Sequence, residues 1–326
     1  MKIIKSIICL TAFLALCKES LTAQEGHETN TVQDSIIIDG HWRTFEYHLP
    51  QYPINNSRLL FVLHGDAMTS KSIQNATGFE FNKLADRTGA TIVVYPQGYK
   101  DYWNDCRKEA SFETKNKGIN DVAFIKAIIQ RMERRYHIDR KNVFATGYFN
   151  GGNMCYKLAK SIPDSFKGFA VIGANLSTKT NDDCVSLDQS ASIMIINYLS
   201  DRTSPYMSWE VTSLDGFTRG KVLPTNETLN YWLNLLEKND KKPLSSLSST
   251  IVKAKSTFFR DDYYSEEKNK RVSLLKIVKG GYPFPNPHVD QWSQIVANMN
   301  KHINIPETVI RFFYQVQYSN TGYSTK

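Results

Sequence analysis

The feature that most limits how this 326-residue chain can fold is a series of short apolar runs that alternate with helical stretches. Residues 59–63, 91–95 and 169–173 are almost continuously apolar, as expected of strands covered on both faces. Residues from Asp121 onward instead carry apolar side chains at the spacing of an amphipathic helix. Strands that alternate with helices pair in parallel, with helices on both faces of the sheet. The chain is therefore predicted to be α/β, with a mostly parallel central sheet.

The first 23 residues have the pattern of a signal peptide. Lys2 and Lys5 precede an apolar run over residues 6–17, which is too short to span a bilayer, and cleavage is predicted after Ala23. A lipid anchor on Cys17 is the alternative, but the bulky Leu16 before it does not fit that signal. The prediction is an exported protein, secreted or periplasmic.

The rest of the chain is predicted to form one domain. Residues 24–33 are polar and predicted to be flexible, residues 34–318 form the domain, and residues 319–326 are a tail. An α/β domain commonly reaches about 250 residues as one unit, and no internal repeat or linker interrupts this one. No later run is long and apolar enough for an integral membrane segment.

Charge and cysteines narrow the function classes further. The net charge of +8 is spread along the chain, whereas a nucleic-acid-binding protein concentrates its basic residues on one face. Cys106 and Cys184 lie in polar, loop-like segments and are the preferred disulfide pair, while Cys155 lies in an apolar helix as a buried thiol. No Cys or His pair has the spacing of metal ligands, so neither a metal nor a cofactor is predicted.

A tight turn between a predicted strand and a predicted helix carries the main functional signal. Residues 147–152 read Gly-Tyr-Phe-Asn-Gly-Gly. The spacing is that of the Gly-x-Ser-x-Gly nucleophile elbow, in which flanking glycines leave room for a strained central residue. Phe149 stands where the serine is expected.

Further motifs, in order and at family spacing, extend this similarity over almost all of the chain after residue 23. They are Leu-His-Gly at 63–65, Tyr-Pro-Gln-Gly at 95–98, Trp-Asn at 103–104, Asp-Val-Ala-Phe-Ile at 121–125, Ser-Asp at 200–201 and Gly-Gly-Tyr-Pro-Phe-Pro at 280–285. The chain resembles the secreted esterase family that includes polyhydroxybutyrate depolymerases and feruloyl esterases. That resemblance implies the α/β-hydrolase fold.

The resemblance also implies roles for individual residues. Asp201 matches the acid of the catalytic triad, while Tyr282 occupies the position of the catalytic histidine. The resemblance further assigns the backbone N–H groups of Asp66 and Asn150 to the oxyanion hole, and His64 and Trp103 to the pocket, where His64 shapes the loop.

These substitutions argue against standard ester hydrolysis. A phenyl ring supplies no nucleophile, and a tyrosine with a pKa of about 10 is a poor base near neutral pH. The predicted function is a family member that has lost hydrolysis and binds a small-molecule, polymeric or carbohydrate-linked ester. The alternative is a carboxylic ester hydrolase with unusual catalytic groups. Thr218, centred in a second Gly-x-Thr-x-Gly pattern, and His288 are the candidates, although neither sequence context favours them.

Overall fold

A computed structural model describes residues 31–51, 54–199, 210–212, 218–253, 256–278 and 303–318. The predicted signal peptide and C-terminal tail lie outside these residues. Within them, no helix is both long enough and apolar enough to cross a membrane.

A ten-stranded sheet organises the described part of the chain, in the order β1-β2-β4-β3-β5-β6-β7-β12-β11-β10. The six strands from β4 to β12 in this order pair in parallel, β2 joins them antiparallel, and β10–β12 form an antiparallel extension. Two short strands, β8 and β9, form a separate antiparallel pair. The strands are β1 (Thr31–Ile38), β2 (His41–His48), β3 (Arg58–Leu63), β4 (Thr91–Pro96), β5 (Val143–Tyr148), β6 (Gly168–Ile172), β7 (Ile193–Tyr198), β8 (Glu210–Thr212), β9 (Thr218–Lys221), β10 (Ser245–Lys253), β11 (Ser256–Ser265) and β12 (Lys270–Ile277).

Helices cover both faces of this sheet. Within β3, Leu59 and Phe61 belong to one apolar cluster, and Leu60 and Val62 between them belong to the other. Helices α4, α5 and α6 contribute to the first cluster, and α1, α2 and α7 to the second. The helices are α1 (Ser70–Ala76), α2 (Glu80–Thr88), α3 (Glu113–Asn116), α4 (Asp121–Tyr136), α5 (Asn150–Ser161), α6 (Thr225–Glu237) and α7 (Ile305–Tyr318). The fold class predicted from the apolar runs is confirmed.

Two element boundaries differ from the sequence-based expectation. Strand β1 begins at Thr31, inside the segment predicted to be flexible, because Val32 packs against the core and Asp34 pairs with Arg131 at 2.9 Å. Helix α5 begins at Asn150, so Gly151 and the glycine after it lie inside the helix rather than ahead of it.

The structure contains the disulfide predicted between Cys106 and Cys184, which are 78 residues apart in sequence. Cys155 is a buried free thiol on α5, and burial raises its pKa well above the usual value. A thiol that is both enclosed and protonated is unreactive.

Candidate active site

The turn between β5 and α5 has the backbone geometry of a nucleophile elbow. Phe149, the residue between strand and helix, has φ 49° and ψ −116°. Non-glycine residues rarely adopt a positive φ, and holding one there costs roughly 1–3 kcal/mol. Hydrogen bonds fix the turn, since the Phe149 N–H donates to the Ile172 carbonyl and the Asn153 N–H donates to the Phe149 carbonyl, both at 2.9 Å.

Three glycines make this turn possible by close approach. A Cβ on Gly147 would lie 2.2 Å from the Gly151 carbonyl oxygen, and one on Gly151 would lie 2.4 Å from the His64 carbonyl oxygen. A Cβ on Gly152 would lie 3.0 Å from the Cβ of Ala174. The first two contacts are with backbone atoms that cannot move aside, so the glycines are required sterically. The close backbone contacts at Gly147 and Gly151 therefore set the shape of the elbow.

The ring of Phe149 lies between two other glycines. A Cβ on Gly65 would lie 3.2 Å from Cδ2 of the ring, and a Cβ on Gly173 would lie 3.2 Å from Cε1. The side chain is half-buried and packs against the apolar cluster on the α7 side of the sheet. The phenyl group therefore fills space directly beside the elbow.

His64, at the end of β3, is completely buried and neutral. Its Nε2 accepts a hydrogen bond from the Gly98 N–H at 2.9 Å, and its Nδ1 lies 2.8 Å from the Gly65 carbonyl oxygen. An unprotonated Nε2 places the proton on Nδ1, which then donates to that carbonyl. Burial lowers the pKa of His64 to about 4. The imidazole holds the loop after β3 against the loop after β4.

Trp103 and Asn150 form the next part of the network. The sequence places Trp103 in the pocket, but the structure buries it completely, with its Nε1–H donating to the His64 carbonyl at 3.0 Å. The Asn150 side chain accepts from the Trp103 N–H at 2.6 Å and donates to Asp105 at 2.6 Å. Asp105 in turn pairs with the buried Arg107 at 2.7 Å. Through its side chain, these contacts hold Asn150, the first residue of α5, in place.

Asp66 approaches the same point from the loop after β3. The Asn150 N–H, expected to serve the oxyanion hole, donates to Oδ2 of the Asp66 side chain at 3.2 Å. Burial raises the pKa of the Asp66 carboxyl, while the nearby Arg107 charge and the Asn150 N–H act in the opposite direction. This contact, like the Asp105–Arg107 pair, has no signal in the sequence, because it depends on where loop side chains point.

The other proposed catalytic positions cannot be placed relative to Phe149. Asp201, Tyr282 and His288 lie outside the described residues. Thr218 is the first residue of strand β9, whereas the nucleophile of an elbow lies between the end of a strand and the start of a helix.

One group of potential metal ligands occurs among the described residues. Ligand atoms of Cys106, Asp182 and Cys184 lie within 4.8 Å of one another. The two sulfur atoms are joined in the disulfide, and Asp182 pairs with Lys160. A disulfide sulfur is not the thiolate that a metal requires, so this trio is accounted for by the disulfide and the ion pair.

Comparison with known proteins finds similarity to proteins named as esterases. NocK from Nocardia uniformis subsp. tsuyamanensis, a protein named as an esterase, is 21% identical over 314 residues, covering 93% of this chain and 89% of NocK. Feruloyl esterase C from Emericella nidulans is 31% identical over 126 residues, covering 38% of this chain and 43% of the enzyme. The chain is similar to a protein named as an esterase over most of its length and to feruloyl esterases over part of it. No protein-family model matches it.

A solved structure agrees with the α/β-hydrolase fold. The acetyl xylan esterase from Aspergillus awamori superposes with a TM-score of 0.52 at 13% identity, covering 78% of this chain and 95% of that enzyme. The match to feruloyl esterase C spans less than half of that enzyme's length. The superposition and the mixed sheet with helices on both faces give this chain the α/β-hydrolase fold.

Proposed function

We propose that this protein keeps the esterase fold and elbow but does not perform Ser-His-Asp ester hydrolysis, and instead binds an ester-bearing or carbohydrate-linked ligand. The observation that carries the proposal is Phe149 at the strained position of the elbow, with φ 49° and ψ −116°. Acyl transfer through a covalent intermediate needs an ionisable oxygen or sulfur at this point. A phenyl ring has neither, and here it also fills the space beside the turn.

Tyr282 at the position of the base supports the same proposal. Its hydroxyl, with an ordinary pKa of about 10, does not accept a proton from a nucleophile at neutral pH. Loss of one triad member lowers the rate by about four to six orders of magnitude, and loss of a second adds little because the residues act as a unit. With tyrosine at position 282, the chain lacks at that position the histidine that Asp201 would orient in the family's triad.

The experiment uses four forms of the purified protein: wild type, Phe149→Ala, Phe149→Ser, and Phe149→Ser with Tyr282→His. Each is assayed with short-chain aryl esters and a fluorophosphonate probe. Wild type and Phe149→Ala, which opens space without adding a nucleophile, are expected to show neither turnover nor labelling. Phe149→Ser alone should remain nearly inert, and only the double variant can rebuild a relay to Asp201.

Ester hydrolysis by unusual groups is the second candidate, supported by the relatives being named as esterases. Saturable hydrolysis by pure wild type, abolished by Thr218→Ala or His288→Ala but not by Phe149→Ala, would establish it and overturn the first proposal. An inactive double variant is weak evidence by itself, since the reshaped pocket could limit the rate.

We infer that the protein is exported and that residues 34–318 act as one domain. The disulfide between Cys106 and Cys184 supports export, because such bonds persist in oxidising compartments. Mass spectrometry of the mature N-terminus tests cleavage after Ala23. A mature chain that still contained residues 1–23 would contradict the inference.

A further inference from the structure

The carboxylate of Asp66 lies where an esterase would hold a developing negative charge. The Asn150 N–H donates to its Oδ2 at 3.2 Å. This N–H and that of Asp66 are the two backbone donors that the resemblance assigns to the oxyanion hole. The Asn150 donor is directed at a side chain of the chain itself.

The donor on α5 is held rigidly in this position. The buried Asn150 side chain is anchored by the Trp103 N–H and by Asp105, both at 2.6 Å. The left-handed turn at Phe149 brings this residue to the start of a 12-residue helix, where unpaired N–H groups and the helix dipole favour an anion. The anion position is therefore formed before any ligand arrives.

Opposing effects act on the Asp66 charge. Burial raises the pKa of the carboxyl and so disfavours the anion, while Arg107, which pairs with Asp105, attracts it. The second carboxylate oxygen, Oδ1, is enclosed and has no hydrogen-bond partner among the described residues. A buried acceptor without a partner costs free energy, so the hydrogen bond at Oδ2 is what retains the side chain here.

We propose that the Asp66 carboxylate is the resident occupant of the oxyanion hole and closes it to ester carbonyls and to carboxylate ligands. This goes beyond the proposed loss of hydrolysis, because it does not depend on Phe149 or Tyr282. A chain with a restored nucleophile would still lack the hole. Removing a single oxyanion donor lowers the rate of an acyl-transfer enzyme by about 100- to 1,000-fold.

The test is chemical rescue with formate, a free carboxylate small enough to replace the side chain. In Asp66→Ala the Asn150 N–H loses its acceptor, and formate at pH 7.5 should bind in its place. A concentration about tenfold above its dissociation constant should raise Tm by roughly 2–4 °C. Wild type, whose hole is filled, and the control Asp164→Ala, which removes an exposed carboxylate, should not respond.

A second readout follows the donor directly. The amide proton of Asn150 should move upfield in Asp66→Ala, as expected for a lost hydrogen bond to a carboxylate, and return when formate is added. Asp66→Asn, which preserves shape and a weaker acceptor, should produce a smaller upfield shift and serves if the alanine variant does not fold.

Two results would overturn the proposal. One is stabilisation of wild type by formate to the same extent as Asp66→Ala, which would mean an open hole. The other is an Asn150 amide resonance that is the same in wild type and in Asp66→Asn. Neither readout measures ester hydrolysis, so this proposal and the proposed function fail separately.

Discussion

Replacing His64 with glutamine should remove a pH-dependent part of the stability. The imidazole is neutral in the folded protein, with a pKa lowered by burial from 6.5 to about 4. The unfolded chain therefore takes up a proton below pH 6.5 that the folded chain refuses until about pH 4. The contribution of His64 is complete above pH 6.5 and is lost as the pH falls through this window.

The size of the loss follows from the two pKa values. At about 1.36 kcal/mol for each pKa unit, wild type should lose about 2 kcal/mol by pH 5 and about 3 kcal/mol by pH 4 relative to a variant without this group. Burial raises the pKa of Asp66 and Asp121, so their contribution falls as pH rises from about 4, opposite in sign. The contributions of Asp66 and Asp121 are present in both proteins, so they cancel when the stability of the variant is compared with that of wild type.

The assay is urea unfolding followed by tryptophan fluorescence at pH 7.5 and pH 5. Glutamine can reproduce both hydrogen bonds of His64, accepting from Gly98 and donating to the Gly65 carbonyl. From pH 7.5 to pH 5 the stability of wild type relative to His64→Gln should fall by about 2 kcal/mol. His41→Gln, at a half-buried histidine of β2, is the control. A gap of the same size at both pH values would refute the reasoning.

Three further changes test the scaffold by chemical denaturation. Gly151→Ala places a Cβ 2.4 Å from a backbone oxygen and should cost at least about 3 kcal/mol, whereas Gly168→Ala meets nothing closer than 3.6 Å and should be nearly neutral; equal costs would contradict the steric argument. Replacing Cys106 and Cys184 with serine opens a 78-residue loop and should lower the free energy of unfolding by about 4 kcal/mol. Reductant should then have no effect on the stability of that variant. Asp121→Ala leaves the buried Arg43 unpaired and should cost about 3–5 kcal/mol; a loss below about 1 kcal/mol would mean that the pair contributes little.

The sheet and the elbow could be predicted because their signals are local. A run such as residues 59–63 is apolar on both faces, as expected of a doubly covered strand, and Gly147 and Gly151 mark the turn by their spacing. Helix α1 gave a weaker signal. Its capping box pairs Thr69 with Ser72, where the recognisable pattern has Glu or Gln.

The parts that sequence could not supply depend on contacts between distant loops. Asp66 reaches Asn150 across 84 positions, and Asn150 reaches Asp105 across 45. No spacing rule connects such residues, because the fold alone brings the loops together. Strand β10 has no clear sequence signal for another reason, since its serine-rich residues 245–250 lack the alternating apolar pattern of a half-buried strand.

The turn at Phe149 has a consequence for how this site could change over time. Its shape comes from the clearances at Gly147 and Gly151, so the residue at its apex can be exchanged without rebuilding the backbone. Phenylalanine and serine codons differ by a single base, as do those of tyrosine and histidine. A lineage that carries this chain therefore keeps a short mutational route towards a nucleophile and a base, with the carboxylate of Asp66 as the remaining obstacle.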